Sequence, residues 1–158
     1  MKKVNIIFLD VDGVLNSIDY AKKVYEETRK PHSEYEYPFD PECLERLQRL
    51  VAKTDARIVI TSTWRKTEEG KRTLQNVLEQ YDLANRVIGY TPILNTKRGE
   101  EIKSFLETLN VEASYIILDD DSDMEELTPY LILTSMKTGL TEEKMTEGMQ
   151  KLKKFSKL

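Results

Sequence analysis

Four short polar clusters hold the residue types that could do chemistry. The first is Asp10-Val11-Asp12-Gly13, where two carboxylates separated by one residue end an apolar run. In an extended chain alternate side chains share a face, so Asp10 and Asp12 are expected on one side. Like charges that close repel unless a cation lies between them or one stays protonated. Gly13 lets the chain leave the strand through a conformation closed to other residues. The second cluster, Thr61-Ser62-Thr63, offers hydroxyl donors suited to an anionic oxygen. The third, Lys97-Arg98, stands where a helix should begin. Cations are electrostatically misplaced there, because the helix dipole is already positive at that end. Cations, free N–H groups and the dipole together make an anion site. The fourth cluster packs four carboxylates into the five positions from Asp119 to Asp123. Hard oxygen ligands in that number suit Mg²⁺, which takes one or two carboxylates and keeps waters plus substrate phosphate. Each cluster also has a structural reading: an Asp-Gly turn, threonine strand-end caps, cations lying toward Glu100 or Glu101, or an aspartate capping a short helix at 124–127. The combination is more specific than its parts and reads as a phosphoryl-transfer site.

The elements that must position these clusters follow from periodicity. Ile6 to Leu9 contains no polar residue, as in a strand buried on both faces of a parallel sheet. Arg57 to Ile60, Arg86 to Tyr90, Tyr115 to Leu118 and Tyr130 to Leu133 are the other expected strands. Asp40-Pro41 opens a helix, with Asp as N-cap and Pro at the first helical position. Its apolar stripe is Leu44, Leu47, Leu50 and Val51. A second helical stripe is Leu74, Val77, Leu78 and Tyr81; a third is Ile102, Phe105, Leu106 and Leu109, in the helix that Lys97-Arg98 opens. A last helix starts at Thr141, with Leu140 and Met145 as a hydrophobic staple and Met149, Leu152 and Phe155 further along. Strands alternating with helices mean right-handed crossovers and a mostly parallel, five-stranded, helix-covered sheet. Ligands bind such sheets beyond the carboxyl ends of the strands, where all four clusters fall. Residues 17–39 lack clean periodicity and hold Tyr20, Tyr25, Tyr35 and Tyr37. They read as a lid-like excursion with one helical turn around Ala21 to Glu27, whose tyrosines either face substrate or cover core.

With 158 residues and no internal repeat, the chain is expected to form one domain, 1–158. Its net charge of −4 argues against a strongly basic nucleic-acid wrapper but leaves room for a local basic patch. The single cysteine, Cys43, falls on an apolar helix face and reads as a reduced core residue. The single histidine, His32, lies in a polar stretch with no nucleophile to activate. No apolar stretch approaches the length of a membrane span, and Lys2-Lys3 is not followed by the apolar region of a signal peptide. The expected location is cytoplasmic.

The order Asp-x-Asp-Gly-Val-Leu, strand to Thr, Lys/Arg before a helix, strand to Asp-Asp resembles the four motifs of the haloacid dehalogenase superfamily. Asp12-Gly13-Val14-Leu15-Asn16, Thr63-Trp64, Arg98-Gly99-x-Glu101-Ile102 and Leu118-Asp119-Asp120-Asp121-Ser122-Asp123-Met124 are similar to a narrower group, the capless domain of Swiss Army Knife RNA-repair proteins. The resemblance implies a Rossmann-like three-layer α/β sandwich without a cap domain, and phosphatase chemistry. It implies Asp10 as the nucleophile forming an aspartyl-phosphate and Asp12 as the acid that protonates the leaving oxygen and then activates water. Thr61, with Ser62 beside it, would bind the phosphoryl group. Asp10, the Asp12 backbone carbonyl and Asp120 would hold Mg²⁺, with Asp119 acting through water or supporting bonds. The superfamily cation is usually lysine. Lys97 and Arg98 both remain candidates here, and the group's Arg-Gly pattern favours Arg98.

Between Asn16 and Asp40 lie only about two dozen residues, below the roughly forty of a self-standing unit. An open cleft therefore follows, suited to a phosphate at a polymer end, RNA or DNA, or on a protein surface. Arg65, Lys66, Arg72, Lys97, Arg98 and Lys137 could flank it as a basic rim, or be ordinary solvated charges. The expected function is a Mg²⁺-dependent phosphomonoesterase. The alternatives are a phosphorylatable receiver-like module or a phosphate-binding module without turnover. A receiver carries its phosphoacceptor after the third strand, where this chain has Gly89-Tyr90-Thr91-Pro92 and no acid.

Overall fold

The structure is a computed structural model and describes residues 3–30 and 37–158. Strands β1 (Val4–Leu9), β2 (Arg57–Ile60), β3 (Val87–Tyr90), β4 (Ala113–Asp119) and β5 (Leu131–Leu133) form one sheet in the order β3-β2-β1-β4-β5. Every neighbouring pair is parallel, so the sheet is wholly and not just mostly parallel. Chain order reverses between β1 and β4, and the Asp10 and Asp119 clusters end these two strands. Among the described residues no cap domain stands over that end.

Alternation along the strands sorts the core into two layers. Ile7, Leu9, Ile58, Ile60, Ile116, Leu118 and Ile132 face helices α2 (Pro41–Thr54), α3 (Glu68–Glu79) and α5 (Glu142–Ser156). Ile6, Phe8, Val59, Ile117 and Leu131 face helix α4 (Arg98–Glu107) and the 3₁₀ turn Glu125–Tyr130. β1, flanked by strands on both sides, has Ile6, Ile7, Phe8 and Leu9 all at 0% exposure. A strand buried on both faces has no polar position to spare, which is why its sequence lacks alternation.

The helix ends follow their capping residues. Asp40 accepts from the Glu42 N–H at 2.9 Å ahead of Pro41, and Thr141 accepts from the Lys144 N–H at 3.1 Å. Leu140 and Met145, the expected staple of α5, are both buried. Tyr81 lies beyond the end of α3 but still packs on the same core. Cys43 is buried, and burial pushes its thiol up to about 12.

The excursion after β1 differs from its expected form. It contains an eleven-residue helix, α1 (Ile18–Thr28), capped by Ser17, whose side chain accepts from the Tyr20 N–H. This helix extends the expected turn at both ends and buries only Ala21, so packing on the core does little to define it. It is tied at its start to the loop after β5, with Ile18 N–H on the Met136 carbonyl at 2.9 Å and Asp19 N–H on that of Lys137 at 3.0 Å. An antiparallel bridge pairs Asn16 with Phe39. Tyr25 is exposed, whereas His32 and Tyr35 lie outside the described residues. No described helix is long and apolar enough to cross a membrane.

Candidate active site

The site grows out of one row of the sheet. Leu9 is in register with Ile60 on one side and Leu118 on the other. The next residues are therefore Thr61, Asp10 and Asp119, side by side. The ladder continues into that row, with Asp10 N–H on the Leu118 carbonyl at 3.0 Å and Thr61 N–H on that of Leu9 at 2.9 Å. Because side chains alternate, all three belong to the face covered by α4. Arg98 in the first turn of α4 meets them there. Its Nη1 lies 3.1 Å from Asp10 Oδ1 and 2.6 Å from Asp119 Oδ2.

Asp120 joins them from the loop that follows β4. Asp10, Asp119 and Asp120 each offer a carboxylate oxygen within 4.8 Å of the others, a set that could hold a metal ion. Asp119 is 0% exposed; besides Arg98 it accepts the Asp121 N–H at 3.0 Å. Burial pushes the Asp10 carboxyl up to about 8; the charge of Asp119 adds to this and Arg98 opposes it. Asp120 is likewise raised, by burial and by Asp119. For Arg98, burial alone would lower the pKa, but Asp10 and Asp119 outweigh it and raise it. One guanidinium thus pairs with two of the three carboxylates, Asp10 and Asp119, and does not neutralise the cluster. All-oxygen donors with uncompensated negative charge fit a hard divalent cation.

Gly13 sits against this cluster with φ +82°, and a Cβ there would fall 2.4 Å from Asp120 Oδ2. Both the backbone conformation and the close approach require glycine. Gly99 fills a similar need: a Cβ there would lie 3.2 Å from the Met124 carbonyl oxygen, where α4 meets the loop after β4. Thr134 donates its hydroxyl to the Gly13 carbonyl at 2.7 Å, fixing the turn from the β5 side.

The chain leaves β1 after Leu9, and Asp12 is reached through a tight turn in place of an extended strand. Its carboxylate is held by two side-chain donors. Asn16 Nδ2 donates to Oδ1 at 2.8 Å, and the Trp64 indole N–H forks across Oδ1 and Oδ2 at 3.4 and 3.3 Å. Asn16 is fully buried and closes the turn by accepting the Gly13 N–H at 2.9 Å.

Thr61 is 0% exposed, and its hydroxyl is the buried side-chain polar atom left without a hydrogen-bond partner among the described residues. Such a group costs about 1–3 kcal/mol unless something satisfies it. Ser62 has a partner as an acceptor. Its hydroxyl accepts the Trp64 N–H at 3.2 Å and caps the 3₁₀ turn Thr63–Lys66.

Several expected rim cations lie elsewhere. Lys97 is the N-cap of α4 and pairs with Asp123 and Glu125, each at 3.2 Å, so it turns from the carboxylate cluster that Arg98 enters. Lys137 lies 3.8 Å from Asp19. Arg65 is no rim residue: its side chain is 2% exposed and pairs with Glu101 at 2.9 Å. Its Nε donates to the Thr91 carbonyl at 3.0 Å, Nη1 to those of Thr61 and Ser62 at 2.8 and 3.0 Å, and Nη2 to that of Pro92 at 3.1 Å. Lys66 and Arg72 are exposed. Neither the Arg65 latch nor the Trp64–Asp12 contact could be assigned from spacing, since each joins segments far apart in the chain. The signal available was a single tryptophan directly after a strand-end hydroxyl cluster.

A wholly parallel sheet of this order, with acids at the ends of its first and fourth strands, is the haloacid dehalogenase-like class of α/β folds. The chain belongs to the family described as the HAD domain in Swiss Army Knife RNA repair proteins, whose model matches residues 6–145. No curated protein matches it.

Proposed function

We propose that the protein is a Mg²⁺-dependent phosphomonoesterase working through an aspartyl-phosphate. The carrying observation is the row of Asp10, Thr61 and Asp119 beside Arg98, with the Thr61 hydroxyl buried and unpartnered. A phosphoryl oxygen would satisfy that hydroxyl. Asp10, Asp120 and the Asp12 backbone carbonyl would hold Mg²⁺, and Asp119 would support it while anchoring Arg98. When bound, the ion neutralises the carboxylates and draws charge from the phosphoryl oxygens.

A carboxylate oxygen of Asp10 forms a bond to phosphorus as the bond from phosphorus to the leaving oxygen breaks. Asp12 gives its proton to that oxygen, and the alcohol departs. Asp12, now ionised, takes a proton from water as the water oxygen bonds to phosphorus and the Asp10–phosphorus bond breaks. Inorganic phosphate leaves, and both aspartates return to their starting states.

RNA or DNA ends bearing a terminal phosphate are the proposed substrates. The family description names RNA repair proteins, and the described residues include no cap to exclude a polymer. A receiver-like role fits less well, because β3 lies at the sheet edge and runs into Thr91-Pro92. The test is phosphate release from an aryl phosphate with Mg²⁺ or with chelator, followed by RNA 3′-phosphate, DNA 3′-phosphate and nucleotides. Asp10→Asn should abolish release; full activity in that variant ends the proposal.

A further inference from the structure

We infer that Trp64 is a positioning residue for the proton-donating carboxyl of Asp12, a role that rests on the phosphatase reading above. Within hydrogen-bond reach Asp12 has Asn16 Nδ2 on Oδ1 at 2.8 Å and the Trp64 indole N–H across both oxygens at 3.4 and 3.3 Å. Asn16 belongs to the same turn as Asp12. Trp64 comes from the 3₁₀ turn after β2, so it alone of the two ties the acid to the segment carrying Thr61. The indole packs edge to face on Phe39 with centroids 5.3 Å apart, and the Trp64 backbone N–H is anchored by the Ser62 hydroxyl, which accepts it.

The two donors distinguish the carboxyl oxygens. Oδ1 accepts the shorter bond from Asn16 as well as one arm of the indole fork, which leaves Oδ2 to carry the proton. Oδ2 can accept from the indole with one lone pair while its O–H points at the leaving oxygen. Without the indole, rotation about the Cβ–Cγ bond is restrained by Asn16 alone. A misplaced acid loses rate in proportion to how much the leaving group needs its proton.

The leaving group therefore provides the test. Trp64→Phe leaves an aromatic ring beside Phe39 and removes the N–H donor along with part of the indole's bulk. Its kcat should be compared with wild type on an alkyl phosphate, whose leaving alkoxide must be protonated, and on a dinitrophenyl phosphate, whose leaving phenolate need not be. The expected result is a shift in the alkyl-to-aryl activity ratio of roughly tenfold or more, with the alkyl kcat falling and KM little moved. Equal losses on both substrates would mean that Trp64 merely supports the fold, and an unchanged ratio overturns the role as surely. Because this is the only tryptophan in the chain, its emission in wild type and Asp12→Ala reports the contact without any turnover. Identical spectra would refute it. If wild-type protein hydrolyses neither ester, the phosphatase reading falls and this role with it. A silent Trp64→Phe beside an active wild type and a dead Asp10→Asn defeats the positioning role alone.

Discussion

Arg65→Met measures how much a buried guanidinium contributes to the frame around the site. Methionine matches the length of the arginine stem but carries no donor. The substitution takes one donor group from four backbone carbonyls, those of Thr61, Ser62, Thr91 and Pro92. It also strands the Glu101 carboxylate, whose side chain is 9% exposed and whose other oxygen accepts the Leu94 N–H at 2.9 Å. Breaking one partner of a buried pair typically costs about 3–5 kcal/mol, because the remaining charge loses its compensation. Against a total stability of about 5–15 kcal/mol this is a large share. At about 2–4 °C per kcal/mol for a chain of this size, Tm should fall by roughly 6–20 °C. Equilibrium urea unfolding followed by far-UV circular dichroism gives the free energy directly. The double variant Arg65→Met/Glu101→Leu removes both charges and should recover part of the loss, with a coupling of about 1–3 kcal/mol. A single-variant loss below about 1 kcal/mol, or strict additivity in the double variant, would refute the latch. Since Arg65 joins the Thr61 carbonyl to Glu101 of α4, the helix that also carries Arg98, phosphate binding should weaken along with stability.

Other perturbations follow from the same geometry. Gly13→Ala forces a Cβ against Asp120 at a positive φ and should cost about 1–2 kcal/mol from the backbone alone; Mg²⁺ titration should show weakened binding as Asp120 is displaced. Without metal, the raised pKa of Asp10, about 8 against 3.8 unfolded, means stability present below about pH 4 is lost as pH rises through about 8. Asp120 shifts in the same direction. Thermal melts in chelator should therefore decline across that window, and saturating Mg²⁺ should remove most of the decline; parallel curves would contradict the metal site. Lys97→Ala should leave aryl-phosphate kcat and KM within about twofold, since its partners Asp123 and Glu125 are outside the carboxylate cluster, whereas Arg98→Met should abolish most turnover. Asp40→Ala, which removes the N-cap of α2, should cost about 1 kcal/mol in urea unfolding and leave turnover intact.

The strands and their ends were legible because their causes are local. Apolar runs ending in Asp10, Thr61 and Asp119 mark buried parallel strands, and alternation then sends side chains to fixed faces. The caps Asp40 and Thr141 and the staple Leu140–Met145 were likewise legible, since capping needs only near neighbours. Helix α1 was legible only as a turn around Ala21 to Glu27, because Ala21 is the one residue it buries and its full extent is set by contacts outside the helix. The long cations were also out of reach. Arg65 and Lys97 carry the same sign near the same sheet edge in sequence, yet one is sealed against Glu101 and four carbonyls and the other stays in solvent. What separates them is which surfaces approach once α4 docks on the sheet, a property of the packed molecule. The contact of Trp64 with Asp12 has the same origin: neighbouring parallel strands bring together turns 52 residues apart, and no local rule specifies which side chains then meet.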